Sequence, residues 1–234
     1  GVLVFILCLL PLTGGYHMNL MKAESPGPSV SKLVPKVQST AKILYTIYII
    51  LTIVEIIFLL IGKMPLFDTL CLSFGTAGTG GFGIKNDSIA SYSTYNQVVI
   101  TVFMILFGIN FNAYYLLLTK KVMQASKNEE VRYYLGIIGL AIVAIAINTR
   151  EMFTSFGRAF QQAAFQVGSI ITTTGYATTD FNVWPVFSKT ILVILMFVGA
   201  CAGSTGGGIK VSRLLILCKS ARKELQLYLH PNAV

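Results

Sequence analysis

The chain has 234 residues, 54% of them hydrophobic and only 12% charged, with a mean hydropathy of +0.72. Soluble domains carry about 25% charged residues, so these figures argue against a water-soluble globule and for a chain whose solvent is a lipid bilayer. The formal charge of +9 would suggest nucleic acid in a soluble protein, but here the basic residues cluster between apolar stretches, and the positive-inside rule accounts for them with no nucleic-acid partner.

In chain order, residues 1–16 open apolar and are read as the end of a preceding transmembrane helix: no basic leader precedes them and no small-x-small cleavage pattern follows. A connector, 17–40, leads to Ala41–Ile61, which together with Gln97–Leu118 meets the ~20 residues a spanning helix needs. Tyr133–Ile147 is short unless it extends past Asn148, and Val186–Ala202 continues through Val211–Cys218. Lys22, Lys32, Lys36 and Lys42 precede the first span, Lys120, Lys121, Lys127 and Arg132 fall in the 119–132 loop, and Lys219, Arg222 and Lys223 follow the last span in the 219–234 connector. The opposite side holds only Lys63, Lys85, Arg150, Arg158 and Lys189, which makes both ends and the 119–132 loop cytoplasmic.

Glu55 is an acid at membrane depth, where a charge costs several kcal/mol, so it reads either as functional or as protonated or paired within the bundle; the structural role is preferred, with Asn110 and Asn112 as candidate partners. Cys8, Cys71, Cys201 and Cys218 all lie among apolar or small residues and read as buried hydrophobes rather than disulfides. His17 and His230 stand apart with no ligand-spaced neighbour, so neither a transition-metal site nor a cofactor is expected.

The segments between spans carry the chemistry. "GKMPLFDTLCLSFGTAGTGGFGIKND" and "NTREMFTSFGRAFQQAAFQVGSIITTTGYATTD" each begin with an apolar stretch too short to span, then reach a Thr/Gly run and a polar exit. With both ends on one side, each must dip in and return as a half-helix and an irregular ascending strand, which lipid tolerates only where protein buries it or it lines a water-filled cavity. Shifted by 94 positions, Thr79 falls on Thr173, Gly81 on Gly175, Phe82 on Tyr176 and Asn86 on Asp180, the signature of an internal duplication. Small residues that merely pack helices closely are the plain alternative. The sharper reading is a strand of an ion-selectivity filter: neutral carbonyls and threonine hydroxyls replace an alkali cation's water without holding it too tightly, glycine permits the required backbone angles, and the aromatic packs behind. The expected filter residues are Thr79, Gly80, Gly81 and Phe82, and Thr173, Thr174, Gly175 and Tyr176. Two such strands make half a ring.

"TGGF" at 79–82, "TTGY" at 173–176, "AGSTGGGIKVSRLL" at 202–215, "ESPGPS" at 24–29 and "HPNAV" at 230–234 together resemble the Trk/Ktr/HKT superfamily of potassium transporters, closest to its bacterial TrkH-like pore subunits. The resemblance covers nearly the whole chain. It implies an all-α, multi-pass protein of the bacterial inner membrane, built from helix, half-helix-plus-filter and helix repeats around one pore. Residues 41–118 would be the second repeat and 133–218 the third, with the first filter loop and the fourth repeat lying outside this sequence. It further implies K+ as the transported ion, a cytosolic nucleotide-binding regulatory subunit and a homodimer of the full pore subunit.

Four glycines at 203–208 interrupt the last span, each costing roughly 1 kcal/mol relative to alanine in a helix. Gly203 and Gly208 have the spacing of a phosphate-binding loop, but Ile209 precedes Lys210 and Val211 follows it, and no strand leads in, so nucleotide binding is rejected. The resemblance implies instead an intramembrane gate formed by Gly203, Ser204, Thr205, Gly206, Gly207 and Gly208, with Lys210 at its base. A break needed only for packing is the alternative, and a secondary transporter of a small anionic solute built on half-helix repeats is the rival function.

Overall fold

A computed structural model describes residues 37–120, 123 and 128–229. The helix end expected at 1–16, most of the 17–40 connector, part of the 119–132 loop and the last five residues of the 219–234 connector lie outside the described residues. So do Cys8, His17, His230 and the 24–29 and 230–234 motifs.

The described residues are helical: α1 (Val37–Ile61), α2 (Leu66–Ala77), α3 (Thr94–Phe107), α4 (Phe111–Leu118), α5 (Glu129–Thr149), a 3-10 turn (Arg150–Met152), α6 (Phe156–Ile171), a second 3-10 turn (Phe181–Val183), α7 (Val186–Phe197) and α8 (Val211–Leu229). The lengths follow from local signals. Pro65 precedes α2, and Ser93, Asn128 and Ser155 cap α3, α5 and α6 by accepting from the amides of Asn96, Glu130 and Arg158. Two helices among the described residues, over Lys42–Ile61 and Glu129–Met152, are long and apolar enough to cross a membrane. At 12 residues, α2 extends roughly 18 Å, against about 30 Å of hydrocarbon, the half-helix its sequence promises.

Two expectations change. The span expected at Tyr133–Ile147 starts earlier and ends later, at Glu129 and Thr149, because Asn128 caps it upstream and Asn148 is accommodated within it. The span expected at Gln97–Leu118 is not straight: α3 and α4 meet at 91° across 108–110. Gly108 ends the first piece and the Asn110 side chain starts the second by accepting from the Asn112 amide at 2.9 Å.

A break at membrane depth leaves carbonyls that water cannot reach, and each of the last four in α3 is matched. Met104 O accepts from the Gly108 amide (3.1 Å) and Ile105 O from the Tyr134 hydroxyl (3.1 Å). Leu106 O accepts from the Ile109 amide (3.0 Å) and the Tyr114 hydroxyl (2.8 Å), and Phe107 O from the Thr205 amide (3.3 Å). Tyr134 reaches in because residue 108 is glycine: a Cβ there would collide with the Tyr134 hydroxyl and lie 2.9 Å from its Cζ.

Two cores flank this joint. One gathers Leu59, Leu72, Ile100, Met104 and Phe107 with Phe165 and Tyr176 from the second copy of the duplication; the other gathers Tyr134, Ile142, Ile145, Ile171, Leu192 and Leu195. The outward faces of α1, α5 and α7 expose Ile53, Ile57, Leu140, Val143 and Phe197, as lipid contact requires.

Gly108→Ala is expected to destabilise the fold by about 1–3 kcal/mol, through overpacking against a fully buried ring. Adding Tyr134→Phe should recover part of the loss, because the hydroxyl is the first atom in the way; thermal unfolding of the single and double variants in detergent, with no recovery in the double, would refute this origin of the bend.

Candidate functional site

Both half-helices end in the same way. After α2, the Thr79 amide donates to Thr76 O (3.2 Å) and the Gly80 amide to Gly75 O (2.7 Å); after α6, the Thr173 amide donates to Ile170 O (3.0 Å) and the Thr174 amide to Ser169 O (2.9 Å). These are the two bonds of a Schellman cap, and every donor and acceptor pair corresponds at the 94-residue shift. The left-handed position that this cap normally gives to glycine is held by Thr79 (φ 50°) and Thr173 (φ 59°). Two residues on, Gly81 (φ 70°) and Gly175 (φ 91°) are left-handed as well. The duplication extends to backbone angles.

A β-branched residue at positive φ is strained, by order 1–3 kcal/mol, so the hydroxyls must return something. The Thr79 hydroxyl donates to Thr205 O (3.2 Å), and the Thr173 hydroxyl accepts from the Gly207 amide (2.7 Å). Both reach the Gly-rich segment. The Thr174 hydroxyl pairs with that of Thr172 at 2.8 Å. Threonine hydroxyls were expected to face an ion beside the carbonyls; these three also each make one hydrogen bond within the protein. Among the described residues, no hydrogen bond ends on the carbonyls of Thr79, Gly80, Gly81, Thr173, Thr174 or Gly175.

The loops touch. A Cβ on Gly81 would collide with the Thr174 carbonyl oxygen, whereas one on Gly175 would meet nothing within 4 Å. The aromatic positions diverge: Tyr176 is 1% exposed and its hydroxyl donates to Leu72 O of α2 (3.2 Å), a fit that requires glycine at 75, while Phe82 is 86% exposed among the described residues. The exits are clamped by amides that sequence reading passed over. Gln97 Nε2 donates to the carbonyls of Ile89, Ala90 and Tyr92, Gln162 accepts from the Thr178 hydroxyl, and Gln166 donates to Thr179 O. Gln162 and Gln166 inside the half-helix α6, and Gln97 at the head of the apolar α3, were the available signal. Outside, the Tyr92 hydroxyl donates to Asp68 (2.8 Å) and Lys85 stacks 4.2 Å over its ring; burial, then the Asp68 carboxylate, push this phenol above its ordinary pKa.

The Gly-rich segment docks between the half-helix ends and the joint of α3 and α4. The Cys201 amide donates to Gly108 O (3.0 Å), the Phe111 amide to Gly203 O (3.1 Å), and Val198 and Ile209 form a parallel bridge that closes the segment into a loop. Gly206 lies against the end of α6, where a Cβ would sit 3.0 Å from Thr172 O. Lys210 donates to the carbonyls of Gly206 and Gly207. Thus Gly203, Ser204, Thr205, Gly206, Gly207, Gly208 and Lys210 form one unit beneath residues 79–82 and 173–176.

The partners expected for Glu55 do not pair with it. Asn110 is committed to the α4 cap and to Glu130, at 3.5 Å, and the Asn112 side-chain oxygen has no partner among the described residues. Glu55 is 0% exposed, and both its oxygens lack a hydrogen-bond partner among the described residues. The nearby Thr76 hydroxyl donates to Leu72 O. The acid that does bond at this joint is Glu130, which the sequence presents as an ordinary first-turn residue of α5.

The chain matches the TrkH cation transport protein family over residues 1–147 and 135–234. It belongs to that family. It is 34% identical over 239 residues to the Trk system potassium uptake protein TrkH of Salmonella typhimurium and 37% identical over 242 residues to that of Vibrio parahaemolyticus, in each case across 100% of this chain and 50% of the relative. It is 32% identical over 243 residues to TrkG of Escherichia coli, covering 49% of that protein. The crystal structure of the potassium transporter TrkH from Vibrio parahaemolyticus superposes with a TM-score of 0.83 at 32% identity, over 99% of this chain and 48% of that one. The chain therefore spans about half the length of the relatives it matches. The all-helical fold and its placement in a membrane accord with these likenesses.

In a full-length protein, Gly81→Ala should weaken K+ over Na+ preference more than Gly175→Ala, because the first must displace a neighbouring carbonyl while the second meets only a backbone penalty of about 1–2 kcal/mol. Equal losses in 86Rb+ and 22Na+ flux would sink the assignment of Gly81 to a loop contact. Thr173→Gly relieves the left-handed strain and removes the hydroxyl, so the melting temperature should hold within a few degrees while the Gly207 amide exchanges faster; unchanged exchange at Gly207 would count against the bond.

Proposed function

We propose that this chain supplies two of the repeats of a potassium-uptake pore in a bacterial inner membrane. The carbonyls of 79–81 and 173–175 take the place of the ion's hydration, with Tyr176 O held by the Ser169 hydroxyl at 2.6 Å, and the Gly-rich loop obstructs the path below them. The observation that carries the reading is the pairing of vacant carbonyls on two matched loops with hydroxyls turned back into the protein. A K+ ion stripped of water needs several neutral oxygens of modest field strength, which carbonyl rings provide and carboxylates do not. The half-helices α2 and α6 lead into the loops by their C-terminal ends, whose negative dipole favours a cation; this orientation argues against an anionic solute. An inside-negative potential contributes about 2.3 kcal/mol per charge per 100 mV, enough to drive uptake with no covalent chemistry. The relatives' names, potassium uptake proteins of the Trk system, support the same ion.

On this reading the exposed end of α8, with Lys219, Arg222 and Lys223, faces the cytoplasm. It is the natural contact for a nucleotide-binding regulatory subunit, and the full pore subunit works as a homodimer.

The test is flux from liposomes holding a full-length protein. 86Rb+ uptake that K+ competes away, with no uptake of phosphate or amino acids, is expected; the reverse would overturn the ion assignment. Deleting Gly206–Gly208 should raise Rb+ flux at matched protein amount, and lower flux from a well-folded deletion would remove the gate.

A further inference from the structure

Glu130 is 8% exposed, in the first turn of α5, and its carboxylate joins three segments that are remote in sequence. Oε1 accepts from the Ala202 amide at 2.6 Å and from the Ser212 amide at 3.2 Å; Oε2 accepts from Asn110 Nδ2 at 3.5 Å. Ala202 opens the Gly-rich loop, Ser212 lies in the first turn of α8, and Asn110 caps α4 at the bend. Each amide is one that its own segment leaves without an intrahelical acceptor. The carboxylate also meets the positive end of the α8 dipole.

Within the same loop, the Lys210 ammonium holds the Gly206 and Gly207 carbonyls. One buried anion thus grips the loop's amides and one buried cation grips its carbonyls, with no ion pair between them among the described residues. Beside them, Glu129 pairs with Lys219 and fixes α8 further along the same contact.

We propose that Glu130 is a positioning residue for the intramembrane loop: its carboxylate latches both feet of the loop, at Ala202 and at Ser212, to the bend of the preceding repeat and so holds the loop across the pore. This rests on the reading of the loop as an obstruction. Displacement of α8 withdraws the Ser212 amide from the same oxygen that holds Ala202, so movement of the helix and release of the loop become one event. Bonds of this kind, from neutral donors to a buried charge, are among the stronger ones available to a protein, and a neutral amide at 130 would turn one face from acceptor to donor.

Two variants of a full-length protein test it. Glu130→Gln should raise basal Rb+ flux from liposomes about tenfold with no regulator added, and should speed amide exchange across 198–213. Asn110→Asp keeps the α4 cap, for which aspartate serves as well as asparagine. It replaces the donor to Glu130 with a like charge, so it should shift both readouts in the same direction. A purely structural role would instead lower flux. Should Glu130→Gln fail to fold, Asn110→Asp decides alone. Parent-like flux and exchange in the folded variants overturn the latch even where deletion of Gly206–Gly208 raises flux and the gate stands. A Glu130→Gln rise that persists on top of that deletion overturns it too, because a latch acts only through the loop. If the deletion lowers flux while exchange still accelerates in Glu130→Gln, the gate reading fails and the latch is reduced to a loop anchor.

Discussion

Everything at the centre of this molecule depends on irregular backbone finding partners where water is scarce. The break between α3 and α4 and the break between α7 and α8 solve the problem for each other. Phe107 O and Gly108 O take amides from Thr205 and Cys201, and Gly203 O takes the amide of Phe111. Each bond satisfies one group from either side, so neither loop could be straightened into helix without orphaning the other. This mutual dependence explains why a glycine-rich segment, intrinsically poor at holding any shape, has a defined place against the half-helix ends.

The filter-like loops show the same economy with strain. Threonine at a left-handed position is an unfavourable choice, and the chain makes it twice, at corresponding places, with a side-chain bond to the Gly-rich loop each time. With the Thr79 and Thr173 hydroxyls bonded to the loop, the carbonyls of 79–81 and 173–175 are left without a hydrogen bond among the described residues, while Tyr176 O takes the Ser169 hydroxyl. Strain, hydrogen bonding and the candidate ion chemistry are therefore properties of the same few residues.

Much of this architecture was legible in the sequence, because composition, charge placement and apolar length are coarse signals that tertiary contacts rarely overrule. The half-helices, the paired T-x-G-aromatic runs and the glycine break all sit where residue patterns put them. The bend at 108–110 escaped, since Gln97–Leu118 is apolar throughout and a hydropathy window does not register one glycine and one asparagine. Yet the 94-residue shift that pairs the filter-like loops also carries Phe103 onto Phe197 and Asn110 onto Ser204, so extending the repeat would have set one break beside the other. Glu130 escaped notice for a different reason. An acid's depth can be read along the chain, but its partners come from segments 20, 72 and 82 residues away, and no local pattern encodes them.

The Tyr176 brace gives the duplication a direction. The hydroxyl of the later copy is seated on Leu72 O of the earlier one, in space kept open by Gly75. During synthesis the chain emerges from its N-terminal side and its parts fold largely in that order. The half-helix that receives the tyrosine therefore exists before the loop that needs it. The dependence is one-way: the second loop leans on the first through this seat, so a side chain at position 75 of the first copy would unseat the tyrosine of the second.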